Sequence, residues 1–190
     1  TVVRAYGELL AHGRAASKCE SYGREIALAG ASIERQLRFA RDYQDLGKEE
    51  PRWQAAREVV LKGKELGLGG ELEVNLDLDG IELMADPLLY RTFSILLDNT
   101  KRHGVHATEA RVGYEMRDGC IIIAYQDNGV GVDQEEKERI FDMGFGNGGG
   151  LGLHLAREIL EVSGMHIRET GVPGQGARFE IAVPPGRWRS

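Results

Sequence analysis

Between Ser17 and about Leu46, apolar or small residues recur at Tyr22, Ile26, Ala29, Ile33, Ala40 and Tyr43, with Gln36 in the gap, at alternating intervals of three and four. That spacing predicts a long helix with a heptad seam. Ahead of it, Val2, Tyr6 and Leu9 or Leu10 mark a shorter helix ending near Gly13. Residues 1–50 are therefore expected to form a helical hairpin with one apolar face on each helix. A lone hairpin cannot cover both faces. Pairing with a second copy into a four-helix bundle would cover them, and packing of the hairpin on its own domain is the alternative.

The segment "DLGKEEPRW" (45–53) interrupts this pattern, with Gly47 placed to cap the helix and Pro51 restricting the residue before it. Beyond it the periods are mixed. A helix is predicted at about 53–65, strands at "ELEVNLDL" (71–78) and "IELMA" (81–85), and a long helix from Pro87 to His103. A hairpin through "EARVGYEMRDGCIIIAYQD" (109–127), a helix from Leu151 to Ser163, and strands "MHIRET" (165–170) and "ARFEIAVP" (177–184) complete the order. Residues 51–190 thus read as an α+β sandwich, with helices layered on one face of a mixed sheet.

Composition narrows the function. With 190 residues and 42% hydrophobic content, the chain has room for one ordinary domain and a small helical appendage. A net charge of −6 argues against general nucleic-acid binding, which rests on clustered Lys and Arg. Any polyphosphate must be held by a local site. Cys19 and Cys120 have neither metal-ligand spacing nor the density of a disulfide framework, which points to a reducing, cytoplasmic setting. No apolar run approaches the ~20 residues of a membrane span, and "TVVRAYGELL" lacks a signal-peptide core. This segment is expected to make no membrane contact, whatever a longer parent protein does.

Three features carry candidate chemistry. On the helix ending "FSILLDNTKRHG" (93–104), Leu89, Phe93, Leu96, Leu97 and Thr100 form a core face, while Ile95, Asn99, Arg102 and His103 form a second stripe. The apolar strand "CIIIAYQ" runs into "DNGVGV" (127–132), where Asp127 can place a carboxylate in a pocket and Gly129 and Gly131 let backbone approach a flat ligand; a simple turn is the plainer reading. In "IFDMGFGNGGGLGLHLAREIL" (140–160), Phe141 and Phe145 precede a glycine-rich loop that opens into a helix. Such loops offer backbone N–H groups to phosphates and suit a mobile lid.

The ordered set "LLDNTKRHG", "DNGVGV", "IFDMGFG", "GGLGLHLAREI" and "GQGARFEIAVP" resembles the N, G1, F and G2 boxes and closing strand of the histidine-kinase catalytic domain, in the GHKL superfamily shared with gyrase and mismatch-repair ATPases. The likeness covers roughly Trp53 to Pro184, and the preceding hairpin resembles the dimerisation and histidine-phosphotransfer domain of the same kinases. The resemblance implies ATP and Mg²⁺ as ligands. Asn99 would bind Mg²⁺ through its amide oxygen, a hard ligand, and Arg102 would contact phosphate with His103 nearby. Asp127 would accept a hydrogen bond from the adenine amine in a pocket shaped by Gly129 and Gly131. Phe141 and Phe145 would lead into the lid, and Gly148, Gly150, Leu151 and Gly152 would form it and the phosphate-facing helix start. A homodimer, a response-regulator receiver domain and an upstream sensor domain in the parent protein are the implied partners.

Two departures from the family pattern qualify this. Four residues before Asn99, where these proteins usually carry a polar residue, stands Ile95, which can neither ligate metal nor accept a proton; free ATP hydrolysis is disfavoured. None of His12, His103, His106, His154 and His166 is followed by an acid in mid-helix as a phosphoacceptor would be, and the acceptor is expected just upstream of Thr1, with an atypical His12 as the alternative. Three functions remain in view: the transmitter core of a sensor histidine kinase, a phosphotransfer-deficient dimeric scaffold, and an ATPase of the hydrolytic branch.

Overall fold

A computed structural model of the chain describes residues 7, 19–66, 72–146 and 150–190. The shorter helix expected through Val2, Tyr6 and Leu9 or Leu10, together with His12 and Gly148, lies outside the described residues. The chain separates into two compact units, Thr1–Gln44 and Asp45–Ser190.

The first unit is carried by α1 (Cys19–Asp45), one continuous helix of 27 residues. Its seam is only partly covered: Ile26 and Ala29 are half-buried, whereas Ile33 and Tyr43 are 48% and 46% exposed, and Leu37, beside the seam, is 66% exposed. Phe39 stacks on Tyr43 one turn along.

In the second unit the elements run β1 (Arg52–Ala55), α2 (Ala56–Leu66), β2 (Glu73–Asp77), β3 (Glu82–Ala85), α3 (Leu89–His103), β4 (Glu109–Arg117) and β5 (Cys120–Asp127). A 3₁₀ turn (Arg139–Phe141), α4 (Leu151–Val162), β6 (His166–Glu169), β7 (Arg178–Val183) and β8 (Trp188–Arg189) follow. The main sheet has the order β2-β4-β5-β7-β6. Only β2 and β4 pair in parallel; the other neighbours are antiparallel.

Strand alternation sorts the two faces of this sheet. Val112, Ile121, Ile123, Tyr125, Phe179, Ile181 and Val183 point to one side and are buried with Val59 and Val60 of α2, Leu89, Phe93, Leu96 and Leu97 of α3, and Leu160 of α4. Each such side chain contributes roughly 1.5–3 kcal/mol by leaving water. The predicted core stripe of α3 is the buried one, so its second stripe is left to face away from the sheet. Asp86 organises the approach to α3: Oδ1 accepts from the Leu88 N–H at 2.8 Å, and its own N–H donates to Ser163 Oγ at 3.0 Å.

One predicted element differs. The helix expected from Trp53 starts at Ala56, because residues 52–55 pair with β3 in register Trp53↔Met84 within a separate three-stranded sheet, β1-β3-β8. The Arg189 guanidinium lies 4.3 Å from the Trp53 ring centroid, and β8 joins the same sheet through Leu83↔Trp188. The apolar spacing at 53–60 is shared between a strand end and a helix start, and only the partner strand separates the two.

Candidate active site

The centre of the site is Asp127, the last residue of β5. Alternation turns its side chain to the helix-covered face, where it is 5% exposed. Oδ1 accepts from the Gly129 and Ala177 N–H groups, both at 2.9 Å. Oδ2 accepts from Thr100 Oγ1 at 2.6 Å, and that hydroxyl also meets Tyr125 OH at 2.8 Å. Three donors therefore orient one carboxylate, and Oδ2, with a single protein partner, retains capacity to accept from a ligand amine.

Glycines bring other backbone against this strand end. A Cβ on Gly129 would come within 2.6 Å of Gly104 Cα, at the end of α3, and one on Gly176 (φ +101°) would sit 1.9 Å from the Asp127 carbonyl oxygen. The loop joining β6 to β7 thus lies directly on Asp127, and the end of α3 on Gly129. Asn128 locks the outer side of the turn, its Oδ1 accepting from the Thr108 and Glu109 N–H groups at 2.9 and 3.1 Å.

On α3, Asn99 and Ile95 are half-buried, while Arg102 and His103 are exposed in the last turn. Asn99 directly precedes Thr100, which ties the helix to Asp127. Arg102 Nε lies 2.9 Å from Asp98 Oδ2, an ion pair of side chains about a third exposed, so reaching a phosphate means leaving or sharing that partner. Ile95 is an apolar contact with α4: its Cγ2 is 3.3 Å from where a Cβ on Gly152 would stand. The polar group missing from this position has been replaced by helix–helix packing.

The segment between Asp127 and α4 is anchored at Phe141, which is 3% exposed and meets Phe179 edge-on at a centroid distance of 6.3 Å. Phe145 is half-buried, with the Arg139 guanidinium 4.8 Å from its ring centroid. Gly150 precedes α4 in the left-handed conformation (φ 55°), close enough to Phe145 that a Cβ would be 2.5 Å from its N and O. Gly150 has no side chain with which to cap α4, and helix starts of this kind offer their first N–H groups to an acceptor. Leu151 and Gly152, in that first turn, are half-buried.

The structure therefore brings Asp127 and Gly129 together with the end of α3, Gly131 with the loop between β6 and β7, and Gly150 and Phe145 with each other. By sequence Thr100 belongs to the core alone, Tyr125 is only a strand residue, and Gly176 and Ala177 lie in the motif "GQGARFEIAVP" without a named site role. A threonine within an otherwise apolar stripe is the available signal for Thr100, and the glycines of "GQGARFEIAVP" are the signal for Gly176 and its neighbour; nothing local marks Tyr125. A separate hollow of about 370 Å³ lies on the opposite face of the sheet, lined by residues including Arg117, Cys120, His166, Arg168 and Glu180; it is not part of this site.

Residues 84–187 match the family described as histidine kinase-, DNA gyrase B- and HSP90-like ATPases. Over 137 residues the chain is 33% identical to the alginate biosynthesis sensor protein KinB of Pseudomonas aeruginosa, covering 69% of this chain and 23% of that protein. Over 141 residues it is 30% identical to the adaptive-response sensory kinase SasA of Parasynechococcus marenigrum (strain WH8102), covering 67% of this chain and 36% of that protein. The chain thus spans well under half the length of these curated relatives. Its fold is similar to that of the Acinetobacter baumannii histidine kinase AdeS, with a TM-score of 0.67 at 18% identity over 97% of this chain and 94% of that one. It is also similar to the ATP-binding domain of PrrB from Mycobacterium tuberculosis, with a TM-score of 0.58 at 20% identity over 72% and 98% of the two chains.

Proposed function

We propose that this chain, which belongs to the histidine kinase-, DNA gyrase B- and HSP90-like ATPase family, is the ATP-binding transmitter core of a sensor histidine kinase. The observation that carries the reading is the setting of Asp127, a buried carboxylate held by Gly129, Ala177 and Thr100 with Oδ2 still able to accept. The adenine exocyclic amine fills that acceptor, and the backbone of Gly129 and Gly131 lies against the base. The start of α4, with Gly150, Leu151 and Gly152, would receive the phosphates on its backbone N–H groups.

Among the described residues no group of three His, Cys, Asp or Glu could hold a metal by itself. Mg²⁺ that shares nucleotide phosphates needs only one or two protein oxygens, and the half-buried Asn99 amide beside Thr100 supplies one. When bound, the ion offsets phosphate charge. Arg102 adds a guanidinium once it turns from Asp98. Ile95 offers no base to a water molecule, so the γ-phosphoryl group is kept for transfer. In that transfer the bond from the γ-phosphorus to the ADP oxygen breaks, and a histidine imidazole nitrogen takes the phosphorus and releases its proton. The group then passes to an aspartate of a response regulator. Positioning and electrostatics supply most of such catalysis.

The exposed seam positions Ile33 and Tyr43 on α1 support a homodimer in which a second copy covers the seam. Among the described residues no helix is long and apolar enough to cross a membrane, in keeping with a cytoplasmic transmitter beneath an upstream sensor domain.

Calorimetric titration tests the assignment. ATP and ADP are expected to bind and GTP far more weakly, because guanine presents a carbonyl oxygen where adenine presents an amine, and two facing acceptors leave both unpaired. Asp127→Asn is expected to weaken ATP binding without unfolding the unit. Comparable GTP and ATP affinities would remove Asp127 from base recognition.

A further inference from the structure

A lysine and a glutamate outside the nucleotide site form a deeply buried ion pair. Glu169, at the end of β6, has a side chain with 0% exposure, and that of Lys137, in the segment before the 3₁₀ turn, has 11%. Lys137 Nζ lies 2.9 Å from Glu169 Oε2, an ion pair closed off from solvent. The other oxygen, Oε1, accepts from the Gly171 and Arg178 N–H groups, both at 3.0 Å. Lys137 Nζ also donates to the Gly171 carbonyl.

These bonds clamp both ends of one loop. Residues 170–178 leave β6 and enter β7 with Gly171 and Arg178 tied to the same carboxylate oxygen, and Thr170 N–H donates to Arg178 O at 2.7 Å. Between the clamped ends, the loop delivers the Ala177 N–H to Asp127 Oδ1 and lays Gly176 on the Asp127 carbonyl. Gly174 N–H reaches Val130 O at 2.7 Å, and a Cβ on Gly131 would meet the carbonyls of Gly176 and Val172. The loop is thus one wall of the Asp127 pocket, and Lys137–Glu169 is the buried charge clamp at its base.

We infer that Lys137 and Glu169 are positioning residues for base recognition, acting through the 170–178 loop to set the donor side of Asp127. The inference rests on the reading of Asp127 as the adenine acceptor. A buried pair of this kind is weak evidence of stability, since replacing both charges with apolar groups is often neutral, whereas removing one strands the other. What the apolar pair cannot do is hold Gly171 and Arg178.

The test compares ADP with GDP by calorimetry in the wild type, in Lys137→Leu/Glu169→Val and in Lys137→Arg. The double variant is expected to stay folded and lose about tenfold in its preference for ADP over GDP, the effect of disturbing one or two aligned hydrogen bonds. Lys137→Arg, which keeps the charge and the donor, is expected to retain the preference. Amide hydrogen exchange is expected to quicken at Ala177 while Gly129, bonded to the same carboxylate from its own turn, stays protected. A folded double variant with the wild-type preference overturns the inference, as does an equal loss for both nucleotides. If the double variant does not fold, Lys137→Gln carries the same test, and an unchanged preference there is equally fatal. A wild type that fails to bind ADP overturns the Asp127 reading together with this one; a wild type that binds ADP beside an unchanged variant overturns this one alone.

Discussion

Thr100 Oγ1 donates to Asp127 Oδ2 at 2.6 Å, joining the buried face of α3 to the end of β5. A hydroxyl has one proton to give, so its 2.8 Å contact with Tyr125 must be a bond that the phenol donates. Burial pushes the Tyr125 pKa up, and the Asp127 charge raises it further. The phenol accordingly stays protonated and able to donate. A chain of protons from Tyr125 through Thr100 to Asp127 therefore aims the carboxylate from inside the core.

Thr100→Val cuts this chain while keeping the side-chain shape. It leaves Tyr125 OH and Asp127 Oδ2 each short of a partner, which is expected to cost about 1–3 kcal/mol in chemical denaturation and to weaken ATP binding. Adding Tyr125→Phe should cost less in the Thr100→Val background than in the wild type, because the hydroxyl it removes is already unpaired. Additive losses would show that the three groups do not act as one chain.

Asn99→Ala separates metal from base. Titrations of ATP with and without Mg²⁺ are expected to show the metal-dependent gain in affinity falling about tenfold, with the metal-free affinity nearly unchanged, since the amide supplies one oxygen ligand and adenine is held elsewhere. An unaltered Mg²⁺ dependence would take Asn99 out of the site.

Acid stability is expected to depend on Glu180, which is 6% exposed on the outer face of the sheet. Burial raises its pKa, but hydrogen bonds from Arg168, Arg178 and Arg117 outweigh that and hold it at about 2. A folded value below the unfolded one means that the carboxylate stabilises the fold above its unfolded pKa of 4.5, and that this contribution is lost as pH falls through about 2. Glu180→Gln should lower stability near neutrality by on the order of 1–2 kcal/mol and flatten the decline between pH 4.5 and pH 2, as read from denaturant midpoints across that range. A variant with the wild-type acid profile would contradict the assignment.

Gly174 and Gly176 offer a controlled comparison within one loop. Both have positive φ, 83° and 101°, but a Cβ on Gly174 meets nothing within 4 Å, whereas one on Gly176 would collide with the Asp127 carbonyl oxygen at 1.9 Å. Gly174→Ala is expected to cost about 1 kcal/mol, the strain of a left-handed alanine, with ATP binding retained. Gly176→Ala is expected to cost more than about 3 kcal/mol and to abolish ATP binding, measured by thermal melting and calorimetry. Similar behaviour of the two would mean that the loop can withdraw from Asp127.

Much of the second unit follows from its sequence, because helix and strand periods state locally which face of an element is buried. The stripe Leu89, Phe93, Leu96, Leu97 and Thr100 identified the core side of α3, and the run "CIIIAYQ" ending at Asp127 placed a carboxylate at a strand end. The five glycine-bearing motifs supplied the family and the candidate ligands in the same way. The rest depends on what approaches from a distance. Residues 52–55 are a strand because β3 lies beside them, Thr100 matters because β5 brings Tyr125 and Asp127 to its hydroxyl, and Ile95 is accommodated because Gly152 opens space for it. Lys137 and Glu169 look like surface charges in the sequence, where nothing indicates that the loop between β6 and β7 will close over them. A buried polar atom must find a partner, but which partner it finds is set by the non-local packing of the backbone and not by the residues beside it in the chain.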